Sequence, residues 1–136
     1  MSTYTADAVA MLRYLVDRLP SQADEIFTRT EQGIDAIEAP NVAIAEVLTA
    51  LGGSEVDVAD VTLQMSPNEA LRQLVTNGPV SVATVGEHDL AVFASQIDLY
   101  TMHDGLIAAT HAVHGTDAVI SKDPAFGNAG VATVWD

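Results

Sequence analysis

Short apolar stretches that favour β-strands alternate with helical patterns along almost the whole chain. Between these stretches, apolar residues recur at the three- and four-residue spacing of amphipathic helices. Strands separated by helices form a parallel sheet with right-handed crossovers and helices on both faces. The pattern therefore predicts an α/β fold, a three-layer α/β/α arrangement around a mostly parallel central sheet. The predicted strands are residues 3–6, 34–39, 80–85, 118–121 and 131–135.

Capping and breaking residues set the limits of the predicted helices. Ser21 and Asn41 are good N-cap residues, and Ser66 precedes a proline that suits the first position of a helix. Residues 54–65 are acidic and poorly periodic, so we predict a loop or a weak element there. The predicted helices cover residues 9–19, 21–32, 41–51, 67–76, 87–97 and 102–114.

Length and composition limit the classes of protein to which the chain can belong. Its 136 residues, 49% of them hydrophobic, are enough for one compact domain with one core, and we predict a single domain over residues 1–136. The chain has no cysteine, which excludes disulfides and thiolate metal sites. It also shows no signal peptide and no apolar run of membrane-spanning length. We therefore expect a cytoplasmic protein without a membrane partner.

The chain is strongly acidic, with 19 acidic residues against five basic ones and a formal net charge of −14. The acids are dispersed among apolar segments, and this pattern suggests a halophilic cytoplasm. At ~1 M salt the Debye length is ~3 Å, so repulsion between these charges is largely screened. The same screening permits a nucleic-acid substrate, which must then be held by short-range contacts and metal.

Four carboxylates occur where an open α/β sheet would bring them together. Asp7 and Asp123 follow apolar strands, and the carboxyl ends of parallel strands form the edge at which such sheets place ligands. Glu46 lies in a predicted helix and Asp104 near the start of another. Two like charges ~4 Å apart cost ~4 kcal/mol at an effective dielectric constant near 20, so a cluster of four needs a cation. Oxygen ligands without cysteine select Mg²⁺ or Mn²⁺.

Each carboxylate also has an ordinary structural interpretation. Asp7 and Asp123 can be turn or N-cap residues, and Asp104 can cap a helix or interact with its dipole. Glu46 is the most informative, because the other residues between Val42 and Leu51 are apolar or threonine. We expect that helix to be buried on nearly all sides, where a lone carboxylate is costly unless it binds a ligand.

The segments around the four acids resemble those of the PIN-domain ribonucleases, especially the VapC-type toxins of toxin-antitoxin pairs. The similar segments occur in the family's order and cover essentially the whole chain. They are residues 4–12 with the first acid, 39–48 with the second, 103–110 with the third and 120–126 with the fourth. In the last segment a serine, a lysine, an aspartate and a phenylalanine match the family's pattern.

The resemblance implies a PIN-like fold and a divalent-metal-dependent endoribonuclease that hydrolyses RNA phosphodiester bonds. It makes Asp7, Asp104 and Asp123 direct ligands of Mg²⁺ or Mn²⁺, with Glu46 a ligand or an orienter of bound water. Ser121 becomes a candidate for supporting these ligands, or it simply closes the strand end. The resemblance further implies a cognate antitoxin that covers the acid pocket, and a homodimer.

Lys122 is the only lysine of the chain and is adjacent to Asp123. We expect it to contact substrate phosphate or to form an ion pair that holds the pocket, although an incidental exposed lysine fits the sequence equally.

Two positions depart from the family pattern. Val9 replaces the Thr, Ser or Asn that is common two residues after the first acid, and Ala125 replaces an aspartate that many relatives carry. Both changes affect how strongly a second metal ion could be bound. They leave two alternatives open: a PIN-like metal- or protein-binding module that cuts nothing, and a housekeeping RNA-processing nuclease with the same chemistry.

Overall fold

A parallel sheet of five strands forms the centre of the structure, a computed structural model that describes residues 1–136. The order of the strands is β5-β2-β1-β6-β7, and every pair of neighbours is parallel. The predicted α/β fold with a mostly parallel central sheet is therefore confirmed. The strands of the whole chain are β1 Thr3–Ala6, β2 Ala36–Pro40, β3 Val56–Val58, β4 Val61–Leu63, β5 Val80–Ala83, β6 Ala118–Ile120 and β7 Thr133–Val134.

Seven helices connect and flank these strands. A π-helical turn, Arg72–Thr76, continues the fourth helix. No helix has both the length and the apolar character that crossing a membrane requires. The helices are α1 Ala8–Leu15, α2 Ser21–Glu31, α3 Asn41–Leu51, α4 Pro67–Leu71, α5 Glu87–Ser95, α6 Met102–His114 and α7 Pro124–Asn128.

The segment predicted as a loop or weak element contains a small β-hairpin. Strands β3 and β4 pair in antiparallel fashion, and Ala59 and Asp60 between them have φ of 46° and 68°. Two consecutive residues with positive φ form the type I′ turn that suits the twist of a hairpin. Val58 and Leu63 are buried. The strands have only three residues each, too few for an alternating pattern to show in the sequence.

Several helix limits also differ from prediction. Helix α1 ends at Leu15 rather than near residue 19, and Asp17 turns the chain with a φ of 56°. Ser21 is the first residue of α2 and not its N-cap, a position that Pro20 occupies without a side-chain hydrogen bond. Helix α7 was not predicted, because five residues are too few to show a helical period.

The core lies between the sheet and the helices packed on it. Its largest fully buried side chains include Phe27, Ile37, Leu74, Ile107 and Phe126. These residues come from elements far apart in sequence, so the core ties helices to the strands between them. At about 25 cal/mol per Å² of buried apolar surface, such side chains supply most of the stability of the fold.

Strand β1 occupies the middle of the sheet and determines which strand ends lie next to each other. Thr5 is in register with Glu38 of β2 and with Val119 of β6, and Ala6 is in register with Ile120. The residues that follow β1 and β6 therefore leave the sheet at the same edge, next to each other.

Candidate active site

The four acidic residues singled out in the sequence line one cavity of about 450 Å³. It lies at the carboxyl edge of the sheet, where β1 and β6 end. The acids reach it from four separate places: the ends of these two strands, helix α3 and the first turn of helix α6. The full lining is Asp7, Ala8, Val9, Glu46, Asp104, Ile107, Lys122, Asp123 and Pro124.

Asp7 is fixed in the cavity by the backbone of α1. As the N-cap of that helix, its Oδ1 accepts a hydrogen bond from the Ala10 N–H at 2.8 Å. Only 6% of the residue is exposed. Burial raises the pKa of the carboxyl, hydrogen bonds from the Ser121 hydroxyl and the Ala10 N–H oppose that rise, and the charges of Asp123 and Glu46 add to it. Asp7 is thus a buried carboxylate with two further acids, Asp123 and Glu46, near enough to raise its pKa.

Asp123 is held at the same edge, shortly after the neighbouring strand β6. It is the N-cap of α7, and its Oδ1 accepts a hydrogen bond from the Ala125 N–H at 2.9 Å. Its own N–H donates to the Ser121 Oγ at 3.0 Å. Ser121 is 2% exposed, its Oγ accepts the backbone N–H of Asp123, and its hydroxyl lowers the pKa of Asp7, so it lies close to both residues.

Asp104 lies in the first turn of α6, and its N–H donates to the Thr101 Oγ1 at 3.5 Å. Burial raises the pKa of its carboxyl to about 6, reinforced by a hydrogen bond with the carboxyl of Asp123 and by that group's charge. The next residue, Gly105, has no side chain because a Cβ there would lie 2.8 Å from Cε1 of Phe93. This requirement of the α5–α6 contact was not predicted from the sequence.

Glu46 lines the cavity from α3, but the prediction that it is buried was wrong. It is exposed, as are Asn41, Ala45 and Thr49 on the same helix. The outer face of α3 consists of small and weakly polar residues, which resemble a buried face in a hydrophobicity pattern. The cost of burying a charge is therefore no argument for a ligand role of Glu46, and its position at the cavity is the argument that remains.

The two positions that depart from the family pattern lie close to the acids. Val9 lines the cavity and is 37% exposed. Ala125 is half-buried and contributes its N–H to Asp123. Three wall residues were not singled out from the sequence: Ala8, Ile107 and Pro124. Ile107 could have been found, because it follows Asp104 by three residues and so shares its helix face.

The chemistry of the lining fits a hard divalent cation. Its side-chain donors are four carboxylates and one amine, with no sulfur and no imidazole, and oxygen-only sites suit Mg²⁺ or Mn²⁺. Burial is the main cause of the raised pKa values of Asp7 and Asp104, and the neighbouring acids add to both shifts. No three His, Asp or Glu side chains are already arranged to hold a metal ion. The fit thus lies in the donors, which must move together to coordinate one ion.

Comparison with known proteins identifies the fold. Neither a family model nor a curated protein sequence matches the chain. A chain of VapBC2 from Rickettsia felis, solved bound to a DNA fragment from its promoter, superposes with a TM-score of 0.71 and 10% identity over 98% of this chain and 99% of that one. VapC20 from Mycobacterium tuberculosis, described as a sarcin-ricin loop cleaving toxin, gives a TM-score of 0.68 and 15% identity, again over 98% and 99%. The chain therefore has the PIN-like fold of these VapC-type structures.

Proposed function

We propose that this protein is a divalent-metal-dependent endoribonuclease and the toxin of a toxin-antitoxin pair. The observation that carries the proposal is the convergence of Asp7, Glu46, Asp104 and Asp123 from four separate elements on one cavity. The sheet topology accounts for the meeting of Asp7 and Asp123, but it does not require Glu46 and Asp104 to be acids, and the mutual repulsion of the four carboxylates opposes such a cluster. A shared cation explains why they meet.

Asp7, Asp104 and Asp123 would hold Mg²⁺ or Mn²⁺ directly, and Glu46 would hold it or orient a water molecule. When bound, such an ion lowers the pKa of water and neutralises negative charge that builds on a phosphodiester. The reaction is hydrolysis: the oxygen of water bonds to phosphorus, the bond from phosphorus to the leaving ribose oxygen breaks, and that oxygen receives a proton.

The chain's own residues prepare the cavity for this reaction. Hydrogen bonds from the Ala10 and Ala125 N–H groups hold Asp7 and Asp123 at the carboxyl edge of the sheet. The buried Ser121 hydroxyl accepts the Asp123 N–H and lowers the pKa of Asp7, and it would support both acids. These hydrogen bonds limit how far the two acids would have to move to hold an ion, and positioning charged groups before the reaction is a main source of electrostatic catalysis.

The fold comparison supports the biological setting. VapC20 cleaves the sarcin-ricin loop, and the VapBC2 structure contains promoter DNA. We infer for this chain an RNA substrate, a cognate antitoxin that covers the acid cavity, a homodimer and a cytoplasmic location. The single-domain organisation over residues 1–136 and the halophilic origin stay predictions from the sequence.

The test is cleavage of a structured RNA by the purified protein in high salt, with and without Mn²⁺. We expect strand cleavage that requires Mn²⁺ and disappears in Asp7→Asn. Equal behaviour of the two proteins would reject the nuclease and favour a PIN-like module that cuts nothing. The genomic neighbourhood then separates a toxin from a housekeeping RNA-processing nuclease, because a toxin gene should follow a short antitoxin gene.

A further inference from the structure

All four arginines of this acidic chain are engaged within the protein. Arg13 donates to the Arg18 carbonyl and lies over the Trp135 ring, with its Cζ 5.4 Å from the ring centroid. Arg18 donates to the Asp17 carbonyl. The remaining two pair with carboxylates, Arg29 with Asp35 and Arg72 with Glu69.

Lys122 differs from these arginines in both respects that matter for binding an external anion. Its side chain makes no hydrogen bond or ion pair in the structure, although Asp123 is its neighbour. It is exposed, and it is the one basic residue that lines the acid cavity. An ion pair that holds the pocket together, one of the roles expected from the sequence, is therefore absent.

The backbone that carries Lys122 is fixed on both sides. The Ser121 N–H donates to the Val134 carbonyl at 3.2 Å, and the Asp123 N–H donates to the Ser121 Oγ at 3.0 Å. Asp123 in turn caps α7. The ammonium group is thus mobile on its four-carbon stem, while the point from which it extends is held at the cavity mouth.

The charges around the cavity explain what this lysine is needed for. Four carboxylates face one ammonium group, so the lining stays negative even after one divalent ion is added. A phosphodiester that enters brings a further negative charge to a chain of net charge −14. Long-range attraction is therefore missing, and a short-range contact must hold the phosphate.

On these grounds we propose that Lys122 binds a phosphate group of the RNA substrate and positions the chain over the acid cavity. This inference rests on the proposed ribonuclease function and adds a substrate-binding residue to it. Lysine is suited to the task as a compact charge that reaches phosphate without fixed geometry.

The test measures binding and cleavage separately. Binding of a fluorescent single-stranded RNA oligonucleotide is titrated at several KCl concentrations in the Asp7→Asn background, where the RNA stays intact. Lys122→Met removes the charge and keeps most of the length of the side chain, and Lys122→Arg keeps the charge. Arg18→Met is a matched control that changes the net charge equally.

We expect Lys122→Met to weaken binding of every oligonucleotide sequence and to reduce the slope of log K against log salt by about 0.7, the value for one phosphate contact on a single strand. Lys122→Arg should restore most of the affinity, and Arg18→Met should leave both the affinity and the slope unchanged. In protein that carries an intact Asp7, Lys122→Met should raise KM for RNA cleavage more than it lowers kcat.

An unchanged slope in Lys122→Met, or an equal loss in Arg18→Met, overturns the inference. So does a reduced melting temperature of Lys122→Met without RNA, because that result assigns the lysine to holding the fold. Failure of the proposed function looks different: wild-type protein with Mn²⁺ then leaves RNA intact, whatever the binding series shows.

Discussion

Asp35 and Asp104 carry the same side chain in opposite surroundings. The Asp35 side chain is 3% exposed, accepts a hydrogen bond from the Arg29 Nε at 2.8 Å and accepts another from the Ser2 N–H at 3.2 Å. The Arg29 guanidinium holds the pKa of Asp35 below its usual value. Asp104 is half-buried beside Asp123, and its pKa is raised to about 6. One carboxyl has its counter-charge built in, and the other has an acid as its neighbour.

The difference shows how a chain with few cations distributes them. Arg29 and Arg72 neutralise acids away from the cavity, and Lys122, which lines it, pairs with none of the four acids there. The Arg29–Asp35 pair belongs to the fold, because its charges balance within the protein. The charges of the cavity do not balance within the protein, and an added cation would reduce the imbalance.

The largest expected effect is on activity, which should depend on the acid cavity and not on the Arg29–Asp35 pair. Asp7→Asn should lower the rate of RNA cleavage by about 10³-fold or more, since a divalent ion supplies several kcal/mol of charge stabilisation and each 1.36 kcal/mol is a factor of ten. Asp35→Asn should leave the rate unchanged and lower the melting temperature. Both variants are compared in one cleavage assay and one thermal scan, and a comparable loss of activity in Asp35→Asn would remove the distinction.

The next effect is stabilisation by metal. At about 100 times its Kd, Mn²⁺ should stabilise the wild-type protein by about 2.7 kcal/mol, because it binds the folded state alone. Asp35→Asn should show the same increment, and Asp7→Asn a much smaller one. Urea unfolding with Mn²⁺ and with EDTA measures the difference. If EDTA and Mn²⁺ give the wild-type protein equal midpoints, the cavity is not a metal site.

A smaller effect is expected from Ser121→Ala. The hydroxyl lowers the pKa of Asp7 and accepts the Asp123 N–H, so its loss should raise the pKa of Asp7 further. Groups that orient metal ligands typically contribute at least about tenfold to metal affinity or activity. We expect the Mn²⁺ concentration needed for half-maximal cleavage to rise by roughly that factor. A variant as active as wild type at limiting Mn²⁺ would show that Ser121 merely closes the strand end.

The smallest effect is the pH dependence of stability, because Asp104 is only half-buried and solvent screens it. Its folded-state pKa of about 6 lies above the ordinary 3.8, so the metal-free folded state binds more protons and stability should fall as pH rises across that interval. The pKa of Asp35 is lowered, so its contribution is present above pH 3.8 and is lost as pH falls below it.

Urea midpoints measured in EDTA from about pH 3 to about pH 8 test both signs. Asp104→Asn should flatten the fall between about pH 4 and about pH 6, whereas Asp35→Asn should reduce the loss on the acid side. The same curve in all three proteins would mean that neither carboxyl has the shifted pKa described above.

The sequence predicted the sheet and the meeting of Asp7 with Asp123 for one reason. Parallel strands end at a common edge, so two acids that follow neighbouring strands must lie close together. Glu46 was singled out as the one charged residue of an apolar helix and Asp104 as an acid near a helix start. The resemblance to a known family supported both, and both line the cavity. The assignment of the four as metal ligands stays a prediction.

The remaining features depend on packing that a one-dimensional pattern does not contain. Glu46 was expected to be buried because alanine and threonine on an exposed helix face resemble core residues in a hydrophobicity profile. The β3–β4 hairpin depends on two residues of positive φ that are not the usual Asn-Gly. The lack of a partner for Lys122, in contrast to the arginines, depends on three-dimensional contacts that the sequence does not show.

The central position of β1 has a consequence for the timing of synthesis. Its second neighbour, β6, is made more than a hundred residues later, and Asp123 follows β6 directly. While the chain is still emerging from the ribosome, β1 lacks one side of its pairing and the cavity lacks an acid. The four carboxylates therefore cannot assemble until residue 123 has been synthesised and has left the ribosome, and a product that terminates before this residue cannot hold all four together.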